Sequence, residues 1–164
     1  MVIVSSSDIT IRRVSEPHGW MGNMSPYPLM CDGERYPTAE YLFQALRFAS
    51  NDVRALIRAE RSPMGAKMRA KSLAAQHELI VVPRTPNDVA NMEYVIRLKL
   101  EQHPYLHDYL MYTGSQKIVE DCTRRPNESG LFWGAKLVNG QWIGQNWLGT
   151  LWMIERGDKR PVWN

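Results

Sequence analysis

The stretch YPTAEYLFQALRF, residues 36–48, decides how this chain is read. Pro37-Thr38 predicts a helix start with Thr38 as N-cap. Tyr41, Leu42, Ala45 and Phe48 then share one apolar stripe. Glu40 falls in the first turn and Gln44 follows one turn later on the same face. The helix dipole favours an acid at that position, and Gln44 has an ordinary reading as a solvent-facing residue. A catalytic carboxylate held at a helix N-terminus is the competing reading, and the rest of the chain has to decide between them.

Outward from this helix, the pattern is helix-rich. DVRALIRAE and PMGAKMRAKSLAAQ predict two further helices, the second opened by Ser62-Pro63. Over residues 86–103, Val89, Met92, Val95, Ile96 and Leu100 recur at helical spacing. PYLHDYLMYTG is a shorter helix stopped at Gly114. NWLGTLWMIERG is the last, with Asn146 as its candidate N-cap.

Strands are few. VIVSSSDITIRRV predicts one or two short ones, and QKIVEDC another. Asp32-Gly33 and Asn139-Gly140 each stand between apolar flanks and signal hairpins. GWMGNMSPYP is a loop that carries two large side chains. The expectation is α+β: a single helix-rich domain over residues 1–164, with a few short antiparallel strands.

Composition narrows the function classes. At 164 residues and 44% hydrophobic, the chain can bury a core and is too apolar for disorder. A net charge of +3 permits a phosphate-bearing partner without requiring one. Cys31 and Cys122 have no metal-ligand spacing and read as two reduced thiols. The opening MVIVSSSDIT lacks a basic n-region, and no apolar run approaches a membrane span. A soluble, cytoplasmic protein with no membrane partner is expected; the oligomeric state is left open.

Common catalytic signatures are missing. His103 and His107 are four apart, but Pro104 interrupts them and no acid completes a metal set. There is no GxSxG, Walker loop or GxGxxG, so neither metal nor cofactor is expected. Three segments remain that mix turn residues, aromatics and polar residues: WMGNMSP, PTAEYLFQ and LFWGAKLVNGQWIGQNWLG. Each has a bland reading. Asn23 can serve its own turn, Trp133 can be core, and the glycines can serve turns.

Together, these segments resemble the NADAR family. GNMSPYP compares with a typical SNFxPxP loop and YPTAEYLFQALRF with PTxEHxFQAxKF. GAKMRAK, MEYVIRLKL, YLMYTG, IVED and FWGAKLVNGQWIGQNWLGTLWMIER follow in order. The resemblance spans about residues 19–156. It implies an α+β, helix-rich N-glycosidase acting on a ribose-linked nitrogen. The family includes an enzyme that cleaves a pyrimidine riboside phosphate of riboflavin metabolism, and members that remove ADP-ribose from guanine in nucleic acid.

The resemblance also assigns roles. Glu40 is the candidate catalytic carboxylate, and Gln44, one turn on, would orient Glu40 or a ribose hydroxyl. Trp133, followed by Gly134, would stack on the leaving base, and Asn23 would bind base edge or ribose. Arg47 and Lys67 match basic family positions suited to phosphate, and Asn146 starts a helix whose amides suit an anion. One position departs from the pattern: Gly130 stands where relatives commonly carry Asp, three residues before the Trp. A second carboxylate would then come from Glu128, or from Glu120 or Asp121; otherwise the site runs on one acid. The 82–92 stretch also lacks a Trp that the family leads one to expect.

The leading expectation is removal of ADP-ribose from ADP-ribosylated guanine in nucleic acid, reversing a toxin's modification. A riboside phosphate N-glycosidase of riboflavin metabolism and a module that binds ADP-ribose or a nucleotide without cleaving it are the alternatives. A plain nucleic-acid-binding protein would need a basic stripe. Arg54, Arg58, Arg61, Lys67, Arg69 and Lys71 supply some charge, but solvated helix faces account for them.

Overall fold

The computed structural model describes residues 8–161. They fall into two compact units, one formed by the chain up to Gly22 together with Pro104 onward, the other by Asn23–His103.

The Asn23–His103 unit begins with a hairpin, β2 (Leu29–Cys31) and β3 (Glu34–Tyr36). Asp32 and Gly33 both take positive φ between them, the left-handed pair that a type I′ turn needs. Four helices follow: α1 (Ala39–Ala45), α2 (Asn51–Arg58), α3 (Pro63–Leu73) and α4 (Pro86–Gln102). Ser50 and Ser62 cap α2 and α3 by accepting from Val53 N and Gly65 N. Helix α1 packs on α2, α3 and α4 at once. All seven of its residues are therefore buried, where the sequence predicted a single apolar stripe.

The other unit joins both ends of the chain. Its elements are β1 (Ile9–Ile11), a 3-10 turn at Gly19–Met21, α5 (Tyr105–Tyr112), β4 (Ile118–Glu120), α6 (Glu128–Trp133), the hairpin β5 (Lys136–Val138) and β6 (Gln141–Ile143), and α7 (Trp147–Arg156). Asn139 and Gly140 make the expected left-handed hairpin turn. Two differences from the sequence reading stand out. Strands β1 and β4 pair in parallel, Ile9 against Ile118, where antiparallel pairs were expected. Parallel neighbours need a long crossover, and the chain between them includes the entire Asn23–His103 unit. Helix α6 was also not anticipated, because its ESGLFW is short and holds a glycine. Of the predicted N-terminal strands, the part before Asp8 lies outside the described residues, as does the opening segment read for a leader.

The core of this unit forms where α7 packs on β4. Trp152 is fully buried, donates its Nε1–H to Met21 O at 3.0 Å and meets Trp20 edge-on. Gly149 allows the close approach: a Cβ there would collide with the carbonyl oxygen of Ile118. Asn146 secures the junction. It takes a left-handed backbone conformation, and its side chain does not cap α7. Its Oδ1 instead accepts from Glu120 N at 3.0 Å, and its Nδ2 donates to Ile118 O at 2.9 Å. Replacing Asn146 with Ala should remove both bonds, strand two buried backbone groups and add a left-handed strain. The expected cost is about 2–4 kcal/mol, seen as a lower urea midpoint at unchanged slope.

Candidate active site

In the Asn23–His103 unit the site is built outward from Glu40. Glu40 is 7% exposed, and one of its carboxylate oxygens accepts from Gln44 Nε2 at 2.8 Å. The four-residue spacing brings the two side chains together on one face. Gln44 is itself buried, so it is not the solvent-facing residue its sequence context allowed. Its Oε1 accepts from Arg47 Nη1 at 3.0 Å. Arg47 in turn pairs with Asp88 through two parallel bonds, Nε to Oδ1 at 2.9 Å and Nη2 to Oδ2 at 2.8 Å. Asp88 is fully buried and also accepts from Arg84 N. A bidentate arginine–carboxylate pair is strong and directional. The chain Asp88–Arg47–Gln44–Glu40 thus fixes the orientation of Glu40. Its remaining oxygen, Oε2, receives no hydrogen bond from any described residue.

The loop before β2 forms a second wall. Asn23 O accepts from Glu40 N at 2.9 Å, tying that loop to the first turn of α1. The Asn23 side-chain amide donates to Met92 Sδ at 3.2 Å, a weak acceptor. Two residues on, Ser25 is buried and accepts from Lys99 Nζ at 2.9 Å. Lys99 also lies over the Tyr27 ring at 5.0 Å. Its ammonium is almost fully buried, and burial pulls its pKa from 10.5 down to about 7. His103 Nε2 lies 2.7 Å from Pro28 O, which accounts for that histidine within the fold. Helix α4 thus lays Asp88, Met92 and Lys99 along one face against α1 and the loop.

The sequence-derived candidates divide between the two units. Asn23, Glu40, Gln44, Arg47 and Lys67 belong to Asn23–His103, with Asn23, Glu40, Gln44 and Arg47 joined by hydrogen bonds. The Arg47 guanidinium is committed to Asp88 and Gln44 and stacks over Phe43, so it positions other groups. Lys67, on α3, is half-buried and makes no ion pair or hydrogen bond with a described residue. Glu128, Trp133, Gly134 and Asn146 belong to the other unit. There Glu128 is exposed in the first turn of α6, and Trp133 is buried edge-on to Phe132. Gly134 is a packing glycine, since a Cβ would strike Glu120 O. The Asn146 side-chain amide bonds to β4 through both its oxygen and its nitrogen.

Gly130 has a structural reason. Its N–H donates to the Asn127 side chain, and an added Cβ would lie 2.8 Å from Arg125 O and 3.1 Å from Cys122 Cβ. Asp88 and Lys99 were missed by sequence reasoning. Asp88 looked like any first-turn acid. Lys99 did carry a signal: with Met92, Val95 and Ile96 it falls on the buried face of α4, a lysine where a hydrophobe is expected.

Residues 11–158 match the family model described as "NADAR domain". The chain belongs to the NADAR family. It is 31% identical to N-glycosidase YbiA of Escherichia coli K12 over 92% of this chain and 88% of that protein. The NMR structure of the same E. coli protein superposes with a TM-score of 0.71 at 30% identity, covering 92% of this chain and 84% of the other. A protein of Vibrio vulnificus named "Riboflavin biosynthesis protein VVA0006" is 27% identical over 86% of this chain, which spans 35% of that longer protein.

Two measurements test this account of the site. The unfolded chain holds its lysine proton up to about pH 10.5, while folded Lys99 releases it near 7. Stability from this group is therefore complete above the unfolded value and is lost as pH falls through about 7. Wild type measured against Lys99→Met should gain stability between pH 7 and 10 in urea titrations, and the difference should level off below 7. Gly130→Asp should lower the melting temperature by several degrees, because the turn at Arg125 must shift to admit the side chain.

Proposed function

We propose that the chain is an N-glycosidase that hydrolyses a ribose C1′–N bond, with Glu40 as its catalytic carboxylate. The observation that carries this reading is the asymmetry of Glu40: one oxygen is clamped by Gln44, the other takes no hydrogen bond from a described residue. A carboxylate so held can face a ribose ring in a fixed orientation.

Breaking the C1′–N bond sends its electron pair to the base nitrogen and leaves positive charge on the ribose. Glu40 offsets that charge. Water adds through its oxygen to C1′ and gives one proton to Glu40. The base nitrogen takes a proton from solvent, and Glu40 later returns its own. The products are a free sugar hydroxyl and a free base.

ADP-ribosylated guanine in nucleic acid is the substrate proposed first. Asn23, whose side chain bonds only a thioether among the described residues, has amide capacity for ribose or base. Lys67 is a half-buried cation without a partner among the described residues, suited to a phosphate. A pyrimidine riboside phosphate is the second reading, favoured by the riboflavin-biosynthesis name of the Vibrio relative. Trp133 remains proposed as a base-stacking residue and Glu128 as a second acid, both on the family pattern alone.

Wild type and Glu40→Gln should be assayed on guanine-ADP-ribosylated DNA and RNA and on the pyrimidine riboside phosphate. Free base or ADP-ribose should appear with wild type, and Glu40→Gln should lower kcat by about 100- to 10,000-fold while still binding. The preferred substrate separates the two readings. Tight binding of ADP-ribose with no turnover of any member would replace the enzyme with a binding module.

A further inference from the structure

We infer that Arg47 and Asp88 are positioning residues for the reaction: they lock the Gln44 amide in one orientation, and that lock dedicates Glu40 Oε2 to the proton taken from water. This deepens the proposal above, and rests on it in giving Glu40 the catalytic role.

The direction of the hydrogen-bond chain follows from which groups can donate. A guanidinium donates and never accepts. Arg47 directs Nε and Nη2 to the two oxygens of Asp88, at 2.9 and 2.8 Å, and the same planar fork turns Nη1 to Gln44 at 3.0 Å. Gln44 can meet a donor there only with its oxygen. Its NH2 group then faces the other way, where it donates to Glu40 Oε1 at 2.8 Å.

The reversed amide has no place in this chain. It would set NH2 against the Arg47 N–H and oxygen against a carboxylate oxygen, two repulsive contacts in place of two bonds. Glu40, Gln44 and Asp88 are buried, and the Arg47 side chain is 13% exposed. In so dry a setting, polar groups turned away from their partners are costly. Asp88 fixes the fork, the fork fixes the amide, and the amide fixes Glu40.

The lock reaches the chemistry at the second carboxylate oxygen. Oε1 is occupied by the amide, and Oε2 receives no hydrogen bond from a described residue. When the C1′–N bond breaks, its electron pair goes to the base nitrogen. Water forms the new O–C1′ bond as one of its O–H bonds breaks, and that proton goes to Oε2. With Gln44 free to turn, the carboxylate rotates and Oε2 loses its direction. A misplacement of about 1 Å at a reacting group costs about 100-fold in rate.

The test replaces both partners by apolar residues, Arg47→Met with Asp88→Leu. This removes the lock without stranding a buried charge, an exchange that is often neutral for stability, and thermal melts should show the double variant folded. Its kcat should fall about 100-fold while KM stays within about twofold of wild type. Arg47→Lys keeps a donor-only group beside Gln44 and should hold kcat within about tenfold of wild type. Asp88→Asn keeps the shape of the side chain but offers the fork one acceptor, so its loss of kcat should be smaller than that of the double variant. In the Glu40→Gln background the double exchange should lower kcat no further, because the lock acts only through that carboxylate. Unchanged kcat in the double variant overturns the inference, as does a loss that multiplies that of Glu40→Gln. Heteronuclear NMR adds a readout that needs no turnover. The Gln44 amide protons should exchange slowly in wild type and quickly in the double variant, and equal exchange in both overturns the inference. Protection that collapses in this way, in a protein that turns over none of the substrates, would sink the glycosidase reading and leave the Gln44 lock standing.

Discussion

The paired bonds between Arg47 and Asp88 are the constraint on which the candidate site depends. Asp88 is fully buried, and a carboxylate taken out of water is costly unless it is paired and hydrogen-bonded. The fold supplies both, with the Arg47 fork on its two oxygens and the Arg84 N–H as a third donor. That requirement pins α1 to α4 in one arrangement. Gln44 and then Glu40 inherit their positions from it, each through a single hydrogen bond. The catalytic candidate is thus oriented by a group it never touches.

The loop from Asn23 is held to the same helix by different means. A lysine whose charge is strongly opposed by burial anchors Ser25 and faces Tyr27. Both ends of the α4 face therefore carry an ionisable group in a dry setting, one paired with a guanidinium and one drawn toward neutrality. Between them lies Met92, whose thioether satisfies Asn23 only weakly. The α4 face is hydrogen-bonded at both ends, and its middle keeps unused polar capacity.

Much of the fold was legible from the sequence because local chemistry dictated it. Asp32-Gly33 and Asn139-Gly140 specify their turns through left-handed backbone angles, and Ser62-Pro63 specifies a helix start. The parallel pairing of β1 with β4 was not legible, since no local signal ties Ile9 to Ile118 across an intervening unit. At the site, Glu40 and Gln44 were found by helical spacing and family pattern. Asp88 was hidden because it occupies a position where its residue type is ordinary, and only its tertiary partners set it apart. Lys99 could have been found, as a charge on an otherwise apolar face.

The division of the chain into a continuous unit and one built from both ends bears on how the protein is made. Asn23–His103 is complete once its own residues have left the ribosome, and its helices close over short separations. Strand β1 emerges first, yet its partner β4 is still unsynthesised. At ordinary elongation rates the wait lasts roughly 5–20 seconds. Through that interval β1 presents bare backbone donors and acceptors, the kind of edge that invites mispairing. Its brevity, three residues from Ile9 to Ile11, keeps that exposure small.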